Sequence, residues 1–102
     1  MEVTYTFRHS EPSPVLRRRI SDKLEKLSKY FLKATKAHVI LNVEGSRHIA
    51  EITLSERHQV LFAEDRSHDM YQSVTGAVTK LERQLKKIKE KTKAHHHKGD
   101  VS

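Results

Sequence analysis

The chain has 102 residues, of which 35% are apolar, 20 are Lys or Arg, 13 are Asp or Glu and none is Cys. That length limits it to one small domain with little room for a deep pocket. The absence of cysteine excludes a disulfide scaffold, a CxxC redox pair and a thiolate zinc site.

The formal net charge of +7 favours polyanionic partners and is unevenly placed. Residues 1–43 hold nine Lys/Arg against four Asp/Glu (+5), residues 44–79 three against six (−3), and residues 80–102 eight against three (+5). Apolar runs such as Val39-Ile40-Leu41 are too short to span a bilayer, and the N-terminal residues lack the pattern of a secretory signal. The expectation is a cytoplasmic protein that makes no membrane contact.

In chain order, Val3, Tyr5 and Phe7 alternate with Thr4 and Thr6, which predicts a strand over residues 2–8. Ser13 followed by Pro14 marks a helix start. The hydroxyl can accept from an otherwise unpaired backbone N–H, and proline at the first helical position forfeits no hydrogen bond. Leu16, Ile20, Leu24, Leu27 and Phe31 then share one stripe at about 100° per residue, predicting a helix over residues 14–32. Val39, Leu41 and Val43, then Gly45-Ser46, then Ala50, Ile52 and Leu54 read as a hairpin. Residues 58–65 read as a fourth strand in which either Leu61 and Ala63 or Val60 and Phe62 face inward; the first pair is favoured.

Ser67 or Asp69 caps a second helix with the stripe Met70, Val74, Ala77, Val78, Leu81, Leu85 and Ile88, ending near residue 92. The order β-α-β-β-β-α predicts an α+β fold, a four-stranded sheet with both helices packed on one face. Its first two strands are expected to be parallel, joined by a crossover. The domain is expected over residues 1–93, with 94–102 as a disordered polar tail. The second helix is long enough to carry its last, lysine-rich turns past the sheet.

On the first helix Arg18, Arg19, Lys23, Lys26, Lys29 and Lys33 lie opposite or beside the apolar stripe. On the second, Lys80, Arg83, Lys87 and Lys91 follow one another on a narrow arc. Charged solvent faces are common, but they usually interleave Glu with Lys for mutual support, whereas residues 83–93 are crowded with Lys and Arg around a single acid, Glu90. Such crowding costs stability, and phosphate binding offsets it through counterion release. Nucleic-acid binding is therefore expected. No zinc-finger spacing, basic-region zipper or evident helix-turn-helix supports sequence-read DNA. Tyr5, Phe7 and Phe31 belong to the core stripes, leaving Tyr30, Phe62 and Tyr71 as the aromatic candidates, so RNA recognised largely through shape and phosphate fits best.

Catalysis finds little support. Consecutive Ser67-His68-Asp69 cannot adopt the nucleophile-base-orienter geometry and suits a helix cap. His48 and Glu51 point to opposite faces of a strand. His95-His96-His97 lies in the tail without preorganisation. No catalytic residue, metal site or cofactor is expected. An adaptor reading remains, in which Ile40, Ile49 and Phe62 form an apolar patch on the open sheet face.

The α-β-β-β-α portion resembles the layout of double-stranded-RNA-binding domains, and a generic module of that kind is the alternative reading. Such domains place basic residues at the start of the last helix, where this chain has Ser67-His68-Asp69. A wider resemblance lies in Arg47-His48-Ile49-Ala50-Glu51, Asp69-Met70-Tyr71 and Lys80-Leu81-Glu82-Arg83-Gln84-Leu85-Lys86-Lys87. Arg8-His9 and Lys23-Leu24-Glu25-Lys26-Leu27 add to it. Together they resemble the bacterial ribosome hibernation promoting factor and ribosome-associated inhibitor family over nearly residues 1–93. The resemblance implies the same fold and binding in the mRNA/tRNA decoding channel of the small ribosomal subunit, which stops translation and preserves idle ribosomes.

By motif, it carries rRNA contacts to Lys23, Lys26, Lys80, Arg83, Lys86, Lys87 and Lys91, with Arg8, His9 and Arg19 as secondary candidates. Pro12-Ser13-Pro14 departs from the family's usual Thr-led helix start. Long members carry a further C-terminal domain that pairs ribosomes. No counterpart is found here, so the expectation is a monomer that relies on a separate dimerisation factor or holds single ribosomes inactive.

Overall fold

The computed structural model describes residues 1–30, 35–56 and 59–101, the stretch 91–101 as helix backbone alone. Strand β1 (Glu2–Arg8) leads into helix α1 (Pro14–Glu25), a 3₁₀ turn (Ser28–Tyr30), and strands β2 (Lys36–Glu44), β3 (Arg47–Glu56) and β4 (Gln59–Ser67). Helix α2 (Met70–Val101) closes the order β-α-β-β-β-α. The sheet runs β1-β2-β3-β4. β1 lies parallel to β2 with Glu2 opposite Lys36 and Arg8 opposite Asn42, and the other two pairings are antiparallel.

Local chemistry accounts for most boundaries. Ser13 is extended at φ −127° and its Oγ accepts from the Leu16 N–H at 3.2 Å, with Pro14 opening the helix. Gly45 turns the β2–β3 hairpin at φ 61°, a left-handed conformation that needs no Cβ. The odd-numbered residues of β1 and β2 and the even-numbered residues of β3 meet Ile20, Leu24 and Leu27 below and Val74, Ala77, Leu81 and Leu85 beside them. This one apolar layer places both helices on the same sheet face.

Three boundaries differ from the sequence expectation. The first helix ends at Glu25 rather than near residue 32, and Leu27, 1% exposed, enters the core from the turn that follows. An apolar stripe does not distinguish an α-helix from the tighter turn that succeeds it, because both keep Leu27 on the inner side. Phe31 and Lys33 lie outside the described residues. β4 extends to Ser67, with Ala63 buried and Leu61 packed on the core while Val60 and Phe62 are exposed, so the favoured register holds. α2 continues to Val101, so residues 93 and 94 are not separated by a helix end. Its 32 residues correspond to about 48 Å against about 33 Å for the longest strand. The helix therefore outreaches the sheet, and the molecule's long dimension is 55 Å.

Candidate nucleic-acid interface

α2 has two flanks. Along one it presses against β4, the sheet's outer strand, whose outward carbonyls have no neighbouring strand to pair with. Lys80 Nζ donates to the Glu64 carbonyl at 2.7 Å and to Asp65 Oδ1 at 3.3 Å, and Gln84 Nε2 donates to the Phe62 carbonyl at 2.9 Å. Gly76 makes the approach possible, since a Cβ there would stand 1.7 Å from Asp65 Oδ2. Lys80, assigned to the basic ridge, thus also clamps the strand edge.

Along the other flank α2 faces α1 across an open groove. Lys23 and Lys26 line it from the α1 side, Thr75, Thr79 and Glu82 from the α2 side, and Leu27 and Val78 form its floor. The cavity measures about 170 Å³. Beyond that lining, Arg19 holds its guanidinium carbon 4.8 Å from the Tyr71 ring centre. The Lys29 and Lys89 ammonium groups lie 5.4 and 5.8 Å from the Tyr30 ring centre. Such cation–ring pairs are worth about 0.5–1 kcal/mol when exposed.

Between the flanks, Arg83 and Lys87 are exposed, as is Lys86, whose ammonium stands 3.9 Å from Glu82 one helical turn away. Among the described residues Lys23, Lys26, Arg83 and Lys87 take part in no ion pair. The structure therefore brings Lys23 and Lys26 together in the groove, leaves Arg83 and Lys87 on the outward arc, and turns Lys80 to the strand. The side chain of Lys91 lies outside the described residues, as do those of His95, His96 and His97.

Arg8 and His9 sit apart, at the end of β1. His9 adopts φ 56° and its Nδ1 lies 3.1 Å from Asn42 Oδ1. A positive φ is uncommon outside glycine, although histidine is among the residues enriched there. His9 thus turns the chain from β1 towards Ser13.

Ser67, His68 and Asp69 build the β4–α2 corner. Ser67 Oγ accepts from the Asp69 N–H at 3.1 Å, Asp69 Oδ1 accepts from the Tyr71 N–H at 3.2 Å, and His68 Nδ1 lies 3.4 Å from the Ser46 carbonyl. Buried Ser73 ties this corner to β3 by donating to the His48 carbonyl at 2.5 Å. No group of three or more metal-ligating side chains has suitable geometry among the described residues. Nor is any helix there long and apolar enough to cross a membrane.

The open sheet face carries a different balance. Glu51 stands directly opposite Glu64, and Arg66 Nε bonds Glu64 Oε1 at 2.8 Å. The hydrogen bond and then the charge of Glu64, assisted by Glu44 and Glu51, hold the Arg66 guanidinium above its ordinary pKa. Of the expected patch, Phe62 is exposed, Ile40 half-buried and Ile49 buried, so these residues form no continuous apolar surface.

Sequence reasoning had no access to Gln84 or to the second role of Lys80, because both depend on which strand lies beside α2. Tyr30 and Tyr71 were visible as aromatics, but Lys89 over the one and Arg19 over the other come from a different helix.

Comparison with known proteins gives a consistent picture. Residues 3–93 match the family model described as Sigma 54 modulation protein / S30EA ribosomal protein. The ribosome hibernation promoting factors of Salmonella typhimurium and Escherichia coli are each 34% identical over 95 residues, covering 93% of this chain and all of the relative. That of Pseudomonas putida is 35% identical over 91 residues, 89% of each chain. Among solved structures, the N-terminal domain of Thermus thermophilus Protein Y superposes with a TM-score of 0.80 at 26% identity, covering 86% of this chain and 99% of that one. A ribosomal subunit interface protein from Coxiella burnetii gives 0.76 at 25% identity, covering 88% and 99%.

Proposed function

The chain belongs to the Sigma 54 modulation protein / S30EA ribosomal protein family, and from that premise we propose that it is a ribosome hibernation factor of the cytoplasm. It binds the small ribosomal subunit and its rRNA in the decoding channel, where mRNA and tRNA would lie, and inhibits translation by occupying that space. The inhibition requires no chemical step and no cofactor. The observation that carries the reading is the coincidence of the family match over residues 3–93 with cations that have no ion-pair partner among the described residues, Lys23 and Lys26 on one side and Arg83 and Lys87 on the other. It acts as a monomer that either works with a separate dimerisation factor or holds single ribosomes inactive.

The test is a sedimentation profile of ribosomes with and without the protein, together with tRNA binding to the small subunit. Co-sedimentation at low salt and loss of tRNA binding are expected; co-sedimentation that leaves tRNA binding intact sinks the channel reading. A protein contacting roughly six to ten phosphates loses about 10³ to 10⁵ in affinity between 50 and 200 mM salt. A flat salt response argues against rRNA as the main contact. The same profile run at increasing protein concentration reports whether paired ribosomes form without a second factor.

A further inference from the structure

We propose that two copies of this chain pair in solution through the free edge of β1, strand against strand, joining two four-stranded sheets into one. The pairing belongs to the free protein and is separate from the ribosome-binding reading, in which a single copy acts.

The sheet has two edges, and the chain treats them differently. At β4 the outward carbonyls of Phe62 and Glu64 are taken by Gln84 and Lys80 of α2. At β1 the Glu2 N–H donates to the Thr35 carbonyl at 3.0 Å, so the backbone groups of the even-numbered residues turn towards β2. Those of Val3, Tyr5 and Phe7 therefore point away from the sheet, and no strand of this sheet pairs with them. Edge strands are usually spoiled for pairing by proline, lysine, a bulge or short length. β1 has none of these devices: it runs for seven residues without proline or lysine, in unbroken register with β2.

A second copy is the occupant because β1 is complementary to itself. Laid antiparallel about a two-fold axis at Tyr5, Glu2 meets the partner's Arg8, Val3 the partner's Phe7 and Thr4 the partner's Thr6. The same register satisfies the backbone. Val3, Tyr5 and Phe7, the residues whose N–H and C=O groups point outward, fall opposite one another and exchange hydrogen bonds. The charged pairs then occupy the closer, non-hydrogen-bonded positions at both ends. A slip of two residues keeps the bonding pattern but sets Glu2 or Arg8 against a threonine. Glu2 and Arg8 are both exposed, and neither takes part in an ion pair among the described residues. Within its own sheet Glu2 lies opposite Lys36, and Arg8 opposite Asn42. A contact of this kind uses the same patch on both copies and closes at two. Seven residues a side are fewer than the roughly 20–30 of a stable interface, so the pair is weak and forms at high protein concentration.

Sedimentation equilibrium of the intact protein, carried from micromolar to millimolar concentration at low salt, is expected to show monomer and dimer and no larger species. Glu2→Arg and Arg8→Glu each place two like-charged pairs at the joint, and each should weaken self-association about tenfold or more. Mixed in equal amounts, the two variants restore opposite charges at both ends, and the mixture should associate as tightly as the parent. A contact inside one chain cannot produce that rescue, because Glu2 and Arg8 stand about 20 Å apart along the strand. Val3→Pro deletes an outward N–H while sparing the pairing with β2, and should weaken association to a similar degree. Thermal melting of each variant reports whether the domain is folded.

A single species up to millimolar concentration overturns the proposal. So does a dimer indifferent to the charge exchange, which would place the contact elsewhere on the molecule. Should Val3→Pro fail to fold, the mixture decides alone: association no stronger than that of either charge variant by itself overturns the β1 joint.

Discussion

The two flanks of α2 each meet lysines, and the lysines are used in opposite ways. On the strand flank, Lys80 is spent on the protein itself, bonded to the Glu64 carbonyl and Asp65 beside a glycine that lets the helix approach. On the groove flank, α2 supplies hydroxyls and leaves the cations of α1 opposite it, Lys23 and Lys26, without ion-pair partners among the described residues. Of the two basic ridges, the one on α2 thus gives Lys80 to holding the helix against β4, while Lys23 and Lys26 of the one on α1 have no ion-pair partner among the described residues. Which lysine is used in which way is decided by the neighbouring element, a sheet edge with carbonyls to satisfy or a second helix held at a distance.

The comparison can be tested in steps of decreasing effect. Leu81 lies between the two flanks and is fully buried. Leu81→Ala should cost about 2–5 kcal/mol by urea unfolding and disturb both flanks together. Gly76→Ala separates them. It gains about 1 kcal/mol of helix propensity but drives a methyl into Asp65, and overpacking of that kind costs about 1–3 kcal/mol. Net destabilisation is expected, relieved when Asp65→Ala is added; a Gly76→Ala protein more stable than the parent would mean that the approach of α2 to β4 is loose.

Smaller still is Lys80→Ala. Its bonds are charge-assisted, yet the side chain is 49% exposed and its carboxylate partner 32% exposed. Screening reduces the expected loss to about 0.5–1 kcal/mol in melting or urea experiments. Lys87→Ala removes a side chain with no ion-pair partner among the described residues and should stay within about 0.5 kcal/mol of the parent. Ribosome affinity should rank the two lysines in reverse, with Lys87→Ala losing more than Lys80→Ala. If Lys80→Ala proves as silent in stability as Lys87→Ala, the two-flank division fails.

Much of this fold is legible in the sequence because each element states its own period. Val3, Tyr5 and Phe7 alternate as a strand must, and Val74, Ala77, Leu81 and Leu85 recur as a one-sided helix must. The alternation in β4 was ambiguous because apolar residues occupy both faces, and burial of Ala63 under α2 resolves it. The end of α1 was not legible, since Leu27 satisfies the same stripe from a turn. For the site, residue type and spacing indicated cations and their face but not their partners. The bond from Lys80 to β4 joins residues 15 and 16 apart in sequence, and the ring contact of Arg19 with Tyr71 joins two helices. Contacts of that reach leave no trace in local periodicity.

The parallel pairing of β1 with β2 bears on how the chain assembles. β2, β3 and β4 can zip up through successive hairpins, each closing a short loop, whereas β1 must wait for residues 36–42 to exist before any strand can receive it. Contacts between distant parts of the chain form late because their loop-closure entropy is lost before they stabilise anything. During synthesis, then, the first strand made has no partner until the second has appeared, and Val3, Tyr5 and Phe7 remain uncovered until α1 and β2 have both emerged.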